Sequence, residues 1–325
     1  MQIRAEDMPE GERHRVERAR LVASTCALNR ELSAILAADI PHQEDERKLA
    51  NYLYDRCYTE SIFEPRGVPA DSGDLTPVLE AANQSRAGWD EGWTIDQLLD
   101  AGQILARKGG AARSFLPGEY LTHRGLDTGP AAGGKASILL SPGSSDLQPG
   151  YYYAFSETAG ESNDAAPTVR FYWNVSATGA PRLMESVTRE LNRFQVPFRF
   201  KCVSRASDFP RRDAAVLYLP ARYYPIAALI LESVHAELKP WLGSSTPLFS
   251  KQLAPGLGFA EDPGESFGEN RTKILAAAMF CTRGRPVKER FAELRRQFEL
   301  RDLSLDQPWL NPGSSDRYDF PFPSE

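Results

Sequence analysis

The chain has 325 residues, of which 42% are hydrophobic and 25% are charged, a composition typical of an ordinary globular protein with a sizeable core. Its net charge is −6, so it lacks the basic balance that nucleic-acid-binding domains usually show. No stretch approaches the about 18 consecutive apolar residues of a membrane span. Residues 1–20 are charged throughout and have no apolar signal core. We therefore expect a cytoplasmic protein without nucleic-acid or membrane partners.

The cysteines and histidines are too scattered in the sequence to suggest a metal site. No pair of cysteines has the CxxC spacing of a zinc or redox motif, and the histidines are equally far apart. No glycine-rich phosphate loop indicates a nucleotide cofactor. The sequence therefore predicts neither a metal nor a cofactor. The residues concerned are Cys26, Cys57, Cys202, Cys281, His14, His42, His123 and His235.

The first 108 residues are predicted to be mostly helical. Apolar residues at helical spacing predict one helix over 13–37 and a second over Asp45–Cys57. Thr94 followed by Gln97 resembles a capping box, and it predicts a further helix that runs through Leu105. We treat residues 1–108 as a helical region that is a candidate for peptide or partner binding.

Residues 107–150 are rich in glycine, proline and serine and contain two short strand-like segments. The segments are Gly118–His123 and Ala136–Ser141. Two interpretations stay open at this point, since such a region is typical either of a mobile flap over a site or of the first strands of a sheet.

The centre of the chain shows the strongest strand signals. Segments 169–175, 197–203 and 214–219 are rich in aromatic and β-branched residues and are bounded by turn-forming residues. Helical spacing follows over 180–194 and 223–238. The order strand, helix, strand, strand, helix predicts an α+β fold, with a mixed or antiparallel sheet flanked by helices. We place this domain at 109–285 and a helical extension with a loosely packed, proline-rich tail at 286–325.

Two of the predicted strands carry cations on one face. Side chains alternate between the two faces of a strand. Arg170, Tyr172 and Asn174 therefore share one face of the first strand, and Arg199 and Lys201 share one face of the second. The other faces are apolar and suit a core. A cationic sheet face of this kind suits an anion.

Residues 246–271 have an unusual composition. The segment contains four glycines and three prolines, yet also Leu248, Phe249 and Phe259, so it is predicted to be a functional loop rather than a disordered one. Lys251 lies within it. Ser266 is positioned to cap a helix over 267–280, with Arg271 in its first turns.

Six sequence blocks, in order along residues 110–285, resemble the HopA-type effector family. The blocks are Tyr-Tyr-Tyr at 151, Arg-Phe-Tyr-Trp-Asn-Val at 170, Val-Pro-Phe-Arg-Phe-Lys at 196, Arg-Arg-Asp-Ala-Ala-Val-Leu-Tyr at 211, Pro-Leu-Phe-Ser-Lys at 247 and Ser-Phe-Gly-Glu-Asn-Arg at 266. The family is named after a type III secreted effector of plant pathogens. It also includes actinobacterial lyases of class V lanthipeptide and thioamitide pathways.

The resemblance implies an enzyme activity and partners. Such lyases are thought to eliminate phosphate from phosphoserine or phosphothreonine in a ribosomal precursor peptide, giving dehydroalanine or dehydrobutyrine. A separate kinase that resembles aminoglycoside phosphotransferases adds the phosphate. The expected fold is similar to that of bacterial phosphothreonine lyases, in which a lysine removes the Cα proton, a histidine protonates the leaving oxygen and arginines hold the phosphate.

This chemistry needs a base of lowered pKa and permanently charged donors for a dianion. Lys201 is the first choice for the base, because a strand holds a side chain firmly. Lys251 is the alternative base, in a loop that can close over substrate, and His123 is a candidate general acid. The candidate phosphate ligands are Arg170, Arg271, Arg211 and Arg199, with Tyr172, Asn174 and Tyr218 as hydrogen-bond donors.

Two other classes of function stay open from sequence. The cationic face would also serve a non-catalytic module that binds a phosphopeptide or a kinase. The resemblance also allows a secreted effector that acts in a host cell. The first 30 residues weigh against this hypothesis, because they are charged and predicted to be helical rather than serine-rich and disordered.

Overall fold

The computed structural model describes residues 25–42, 44–62, 73–108, 111–122, 129–158 and 167–320, which form seven helices and two antiparallel sheets. This architecture confirms the predicted α+β fold. The helices are α1 (25–37), α2 (Glu46–Leu53), α3 (Thr76–Ala82), α4 (Ala180–Arg193), α5 (Tyr224–Leu238), α6 (Phe267–Cys281) and α7 (Val287–Glu299). No helix in these residues is long and apolar enough to cross a membrane.

A five-stranded sheet follows α3 and has its own small core. Its strands are β1 (Gly88–Leu98), β2 (Ile104–Lys108), β3 (Ala111–Phe115), β4 (Tyr120–Thr122) and β5 (Lys135–Leu140), in the order β3-β2-β1-β5-β4. Trp93, Ile95, Ile104 and Ile138 are buried together in this core. The strands of this sheet lie on both sides of the predicted domain boundary at residues 108 and 109.

The helix predicted from Thr94 through Leu105 is wrong. Thr94 lies in β1 and pairs with Arg107 of β2. Burial alternates along β1, with Trp93 and Ile95 inside and their neighbours more exposed. A period of two suits a sheet with one buried face. Strand pairing across the turn therefore overrides the local resemblance to a capping box.

The main sheet has seven antiparallel strands and carries the predicted central segments. Its strands are β6 (Gly143–Ser144), β7 (Tyr151–Phe155), β8 (Thr168–Trp173), β9 (Arg199–Val203), β10 (Ala215–Pro220), β11 (Lys251–Ala254) and β12 (Leu257–Glu261), in the order β11-β12-β8-β10-β9-β7-β6. One face is apolar: Phe171 pairs with Leu217 and with Phe259. Helix α5 packs on it, where Tyr224 stacks on Phe171 with ring centroids 5.6 Å apart.

The opposite face of the main sheet is partly covered by α2 and α6. Helix α2 continues as a π-helical turn over Tyr54–Tyr58. Phe267 of α6 packs on Tyr58 and on Tyr172 of β8, at ring-centroid distances of 6.3 and 6.1 Å. Gly268 makes this packing possible, because a Cβ at that position would lie 2.5 Å from the Tyr58 ring. Only glycine lets α6 approach the π-helical turn so closely.

The predicted loop over 246–271 contains the β11–β12 hairpin, which turns at Gly256 with a φ of +71°. Ser266 caps α6 as predicted, since its hydroxyl accepts a hydrogen bond from the backbone N–H of Glu269. The expectation of a loose tail is wrong. Trp309 and Tyr318 are each 1% exposed, and the Tyr318 hydroxyl donates to Glu261 at 2.6 Å.

Candidate active site

Three cationic side chains from neighbouring strands surround one tyrosine ring. In the sheet register, Tyr218 of β10 pairs with Arg170 of β8 on one side and with Arg199 of β9 on the other. The two guanidinium carbons lie 5.1 and 4.7 Å from the Tyr218 ring centroid, and the Lys201 Nζ lies 5.9 Å from it. We call Arg170, Arg199 and Lys201 the cationic cluster. The sheet thus brings together three of the predicted site residues around a fourth.

Lys201 is partly buried between aromatic side chains. Its Nζ lies 4.5 Å from the Tyr151 ring centroid and donates a hydrogen bond to Gln148 Oε1 at 3.3 Å. Burial lowers the pKa of Lys201 to about 8. Asp213 acts against this change, while Arg170 and the other nearby arginines add to it. A lysine with a pKa near neutrality is a competent general base.

The positive charges of the site outnumber the carboxylates that pair with them. Arg170 donates to Asp262 and to the Glu265 carbonyl, both at 2.6 Å. Arg211 makes a two-point ion pair with Asp213, at 2.6 and 3.0 Å.

Within the described part of the chain, neither Arg199 nor Lys201 has a carboxylate within ion-pair distance, and the buried Nε of Arg170 has no hydrogen-bond partner. Four cations thus face two paired carboxylates. With Lys201 protonated the excess is two positive charges, and with Lys201 neutral it is one; either state suits an anion.

The tyrosines of the site remain protonated donors at ordinary pH. Burial raises the pKa of Tyr172 to about 12, with Arg170 acting against the change. Burial likewise raises the pKa of Tyr218 and of Tyr153. A neutral phenol can donate a hydrogen bond to an anionic oxygen. Both phenols are thus protonated, and their predicted role as donors to a phosphate stays a prediction.

Lys251 lies on the opposite face of the sheet from the cationic cluster. It pairs with Phe259, which in turn pairs with Phe171 of the apolar face. Its Nζ donates to both carboxylate oxygens of Asp316 and to the Tyr318 carbonyl, each at 2.8 Å. We expected Arg170, Lys201, Lys251 and Arg271 to converge on one concave spot. For Lys251 this prediction is wrong, because the hairpin register directs its side chain to the other face.

The donors of Arg271 are engaged outside the cluster. Its side chain is buried, and it donates to the carbonyls of Pro308 at 2.8 Å and Leu310 at 3.0 Å, and to Asn270. Burial lowers its pKa to about 10, while Tyr172, which also acts on Arg170, opposes this change. The guanidinium thus holds the C-terminal segment, and a role of Arg271 in phosphate binding stays a prediction.

The remaining predicted residues are placed as follows. Asn174 donates to the Ser245 carbonyl at 2.9 Å, and so it holds a loop beside the sheet. Arg211 lies close enough to act on Lys201 electrostatically, but its guanidinium is engaged by Asp213. His123 lies outside the described residues.

Three residues of the site were missed by sequence reasoning. Asp213 directly follows two arginines, a pattern typical of a surface ion pair, although it is buried and acts on Lys201 electrostatically. Tyr151 is one of three consecutive tyrosines, and the sequence does not distinguish it from the other two. Gln148 lies in a turn and has no local signal, because its importance comes from the strand residues that it contacts.

Comparison with known proteins identifies the family. A model of the HopA1 effector protein family matches residues 143–310, more than half of the chain. Two solved structures share the fold, both of effector proteins from Pseudomonas syringae. The protein from pv. tomato strain DC3000 has a TM-score of 0.52 and 14% identity, over 90% of this chain and 99% of its own. The one from pv. syringae strain 61 has a TM-score of 0.50 and 16% identity, over 90% and 98%. No curated protein matches significantly. The chain belongs to the HopA1 effector protein family.

Proposed function

We propose that this protein is a phosphoserine/phosphothreonine lyase. It would remove phosphate by β-elimination from a phosphorylated ribosomal precursor peptide and leave dehydroalanine or dehydrobutyrine, as in lanthipeptide or thioamitide biosynthesis. The observation that carries the proposal is the cationic cluster, in which a lysine of lowered pKa adjoins arginines that exceed their paired carboxylates by one positive charge. The resemblance of the six sequence blocks to biosynthetic lyases supplies the peptide, the kinase partner and the pathway.

Each residue of the cluster has a role in this reaction. Lys201 in its neutral form takes the Cα proton, and the arginines stabilise the dianionic leaving group. Arg199 is the most available ligand, since it is exposed at the open side of the sheet. Arg170 is held by Asp262 and the Glu265 carbonyl, and it contributes its fixed charge beside Tyr218. Guanidinium groups suit phosphate because their planar donors match its oxygens. Tyr218 donates to the same oxygens, while the buried Tyr172 stands behind Arg170.

The reaction balances without a further reagent. The Cα–H bond breaks and its electron pair forms the Cα–Cβ double bond as the Cβ–O bond breaks. The departing phosphate retains the electrons of that bond. The proton on Lys201 finally leaves with the phosphate as hydrogenphosphate, which returns the neutral amine. We expect no requirement for metal or nucleotide once the peptide is phosphorylated.

The test is incubation of the protein with a synthetic phosphothreonine peptide, followed by mass spectrometry. We expect loss of the mass of phosphoric acid, and addition of a small thiol to the new double bond, with EDTA present. Arg199→Gln should raise KM, whereas Arg113→Gln, at an exposed position of the five-stranded sheet, serves as the matched control. Release of phosphate with recovery of the free hydroxyl would instead identify a hydrolase.

A non-catalytic phosphopeptide-binding module is the second candidate. The ion pairs that hold Arg170 and Arg211 favour it, because they fix two cations rigidly in place. Tight phosphopeptide binding without any change in mass, also with a kinase present, would support this candidate over the lyase. The two solved structures are of effector proteins, so a secreted effector is a third candidate function. The assay should therefore also include a phosphorylated host-cell protein as substrate.

A further inference from the structure

Gln148 makes the hydrogen bonds that define the surroundings of Lys201. It lies in the turn 145–150 between β6 and β7, where its carbonyl accepts from the backbone N–H of Tyr151 at 3.2 Å. Its side-chain Oε1 accepts from the Tyr153 hydroxyl at 2.7 Å and from Lys201 Nζ at 3.3 Å. Lysine only donates when charged, so the amide atom that faces it is the oxygen. The carboxamide is thus held in one orientation.

This orientation leaves the amide nitrogen of Gln148 available. Its two N–H groups donate to no acceptor within the described part of the chain. Gln148 is only half-buried, so a ligand beside the cluster can approach its side chain. Since the carboxamide is small and planar, the nitrogen lies beside the Lys201 amine.

The proposed elimination needs a donor at that place. When a base removes the Cα proton of a peptide residue, negative charge develops on the oxygen of the adjacent carbonyl. A positioned donor to such an oxygen is worth about a hundredfold to a thousandfold in kcat. The carbonyl oxygen lies two bonds from Cα, so its donor must lie close to the base.

We infer that Gln148 has two roles in the reaction of the proposed lyase: it orients Lys201 through Oε1, and it donates through Nε2 to the carbonyl of the phosphorylated residue. This inference rests on the proposed function. The substrate class that follows is a phosphorylated residue with a carbonyl on its Cα, as in a peptide, rather than a phosphate monoester of a simple alcohol. No proton is transferred through Gln148, which only stabilises the charge that moves onto the carbonyl oxygen.

Two variants separate the two roles. Gln148→Leu removes the acceptor and the donor, and we expect kcat to fall about a hundredfold with KM changed less than about threefold. Gln148→Glu keeps the acceptor for Lys201 and Tyr153 but has no N–H. Its kcat, measured at a pH high enough that Lys201 is fully neutral, should therefore also fall. Gln84→Leu is the control, because Gln84 is exposed and its side chain, among the residues that the structure describes, bonds only the Ala82 carbonyl. Thermal unfolding and phosphopeptide binding verify that each variant is folded.

A second measurement needs no turnover. The pH dependence of Lys201 acetylation, followed by peptide mass spectrometry, reports the protonation of its amine. Loss of the Gln148 acceptor should shift this profile to lower pH in Gln148→Leu, and the added charge of Gln148→Glu should shift it to higher pH. An unshifted profile in both variants overturns the orienting role.

The outcomes distinguish the inference from the proposed function. If the wild-type protein eliminates phosphate and Gln148→Leu retains its kcat, the inference is overturned and the lyase stands. If Gln148→Glu retains the plateau rate, the donor role is overturned. If the wild-type protein eliminates nothing, the proposed function itself fails.

Discussion

The pH dependence of elimination is a quantitative test of Lys201 as the base. Its pKa is about 8, compared with 10.5 for an ordinary lysine. This difference corresponds to about 3 kcal/mol of disfavoured charge. At pH 7 about a tenth of the molecules then carry the neutral amine, about 300 times the fraction for an ordinary lysine.

We therefore expect kcat/KM to rise about tenfold per pH unit up to pH 8 and to level off above it, because only the neutral amine accepts the proton. The assay is initial-rate mass spectrometry of a phosphothreonine peptide between pH 6 and 10, at constant ionic strength. Lys201→Arg, which keeps the charge but cannot act as a base, should lose about a hundredfold to ten-thousandfold. A rate that still rises at pH 10, or a Lys201→Arg variant within tenfold of wild type, would refute the assignment.

The remaining predictions concern Asp213, which acts on the base, and Lys251 and Arg271, the two predicted site residues whose donors are engaged outside the cluster. Asp213→Asn should move the rise in kcat/KM to lower pH, because Asp213 raises the pKa of Lys201; an unchanged profile contradicts this. Arg271→Met should lower the free energy of unfolding by about 3 kcal/mol in urea denaturation, since two buried carbonyls lose a charged donor; an unchanged midpoint contradicts this. Lys251→Met should cost about 3 kcal/mol by leaving Asp316 unpaired, while kcat stays unchanged; a lost kcat in folded protein would return Lys251 to the active site.

The central strands and the face of each cation could be predicted because they depend on local alternation. Arg170 and Lys201 alternate with apolar neighbours that form the core, so a sequence pattern suffices to place them on the polar face. The α6 cap at Ser266 is equally local.

The rest depends on pairing between distant segments. The face that Lys251 takes depends on the register of the β11–β12 hairpin against β8. Arg271 finds its acceptors in the carbonyls of Pro308 and Leu310, in a tail whose composition suggested loose packing. Thr94 shows the same limit, because a motif of four residues carries no information about the strand that pairs with it.

The π-helical turn over Tyr54–Tyr58 has a consequence for how the family can vary in length. A π-helical turn holds one more residue than an α-helical turn at the same place. Deleting the extra residue restores an α-helical turn and leaves the orientation of the flanking chain nearly unchanged. The contact of the Tyr58 ring with Tyr172, and its close approach to Gly268, would then persist in a chain one residue shorter. Relatives in which this segment covers the sheet should therefore tolerate a change of one residue in its length.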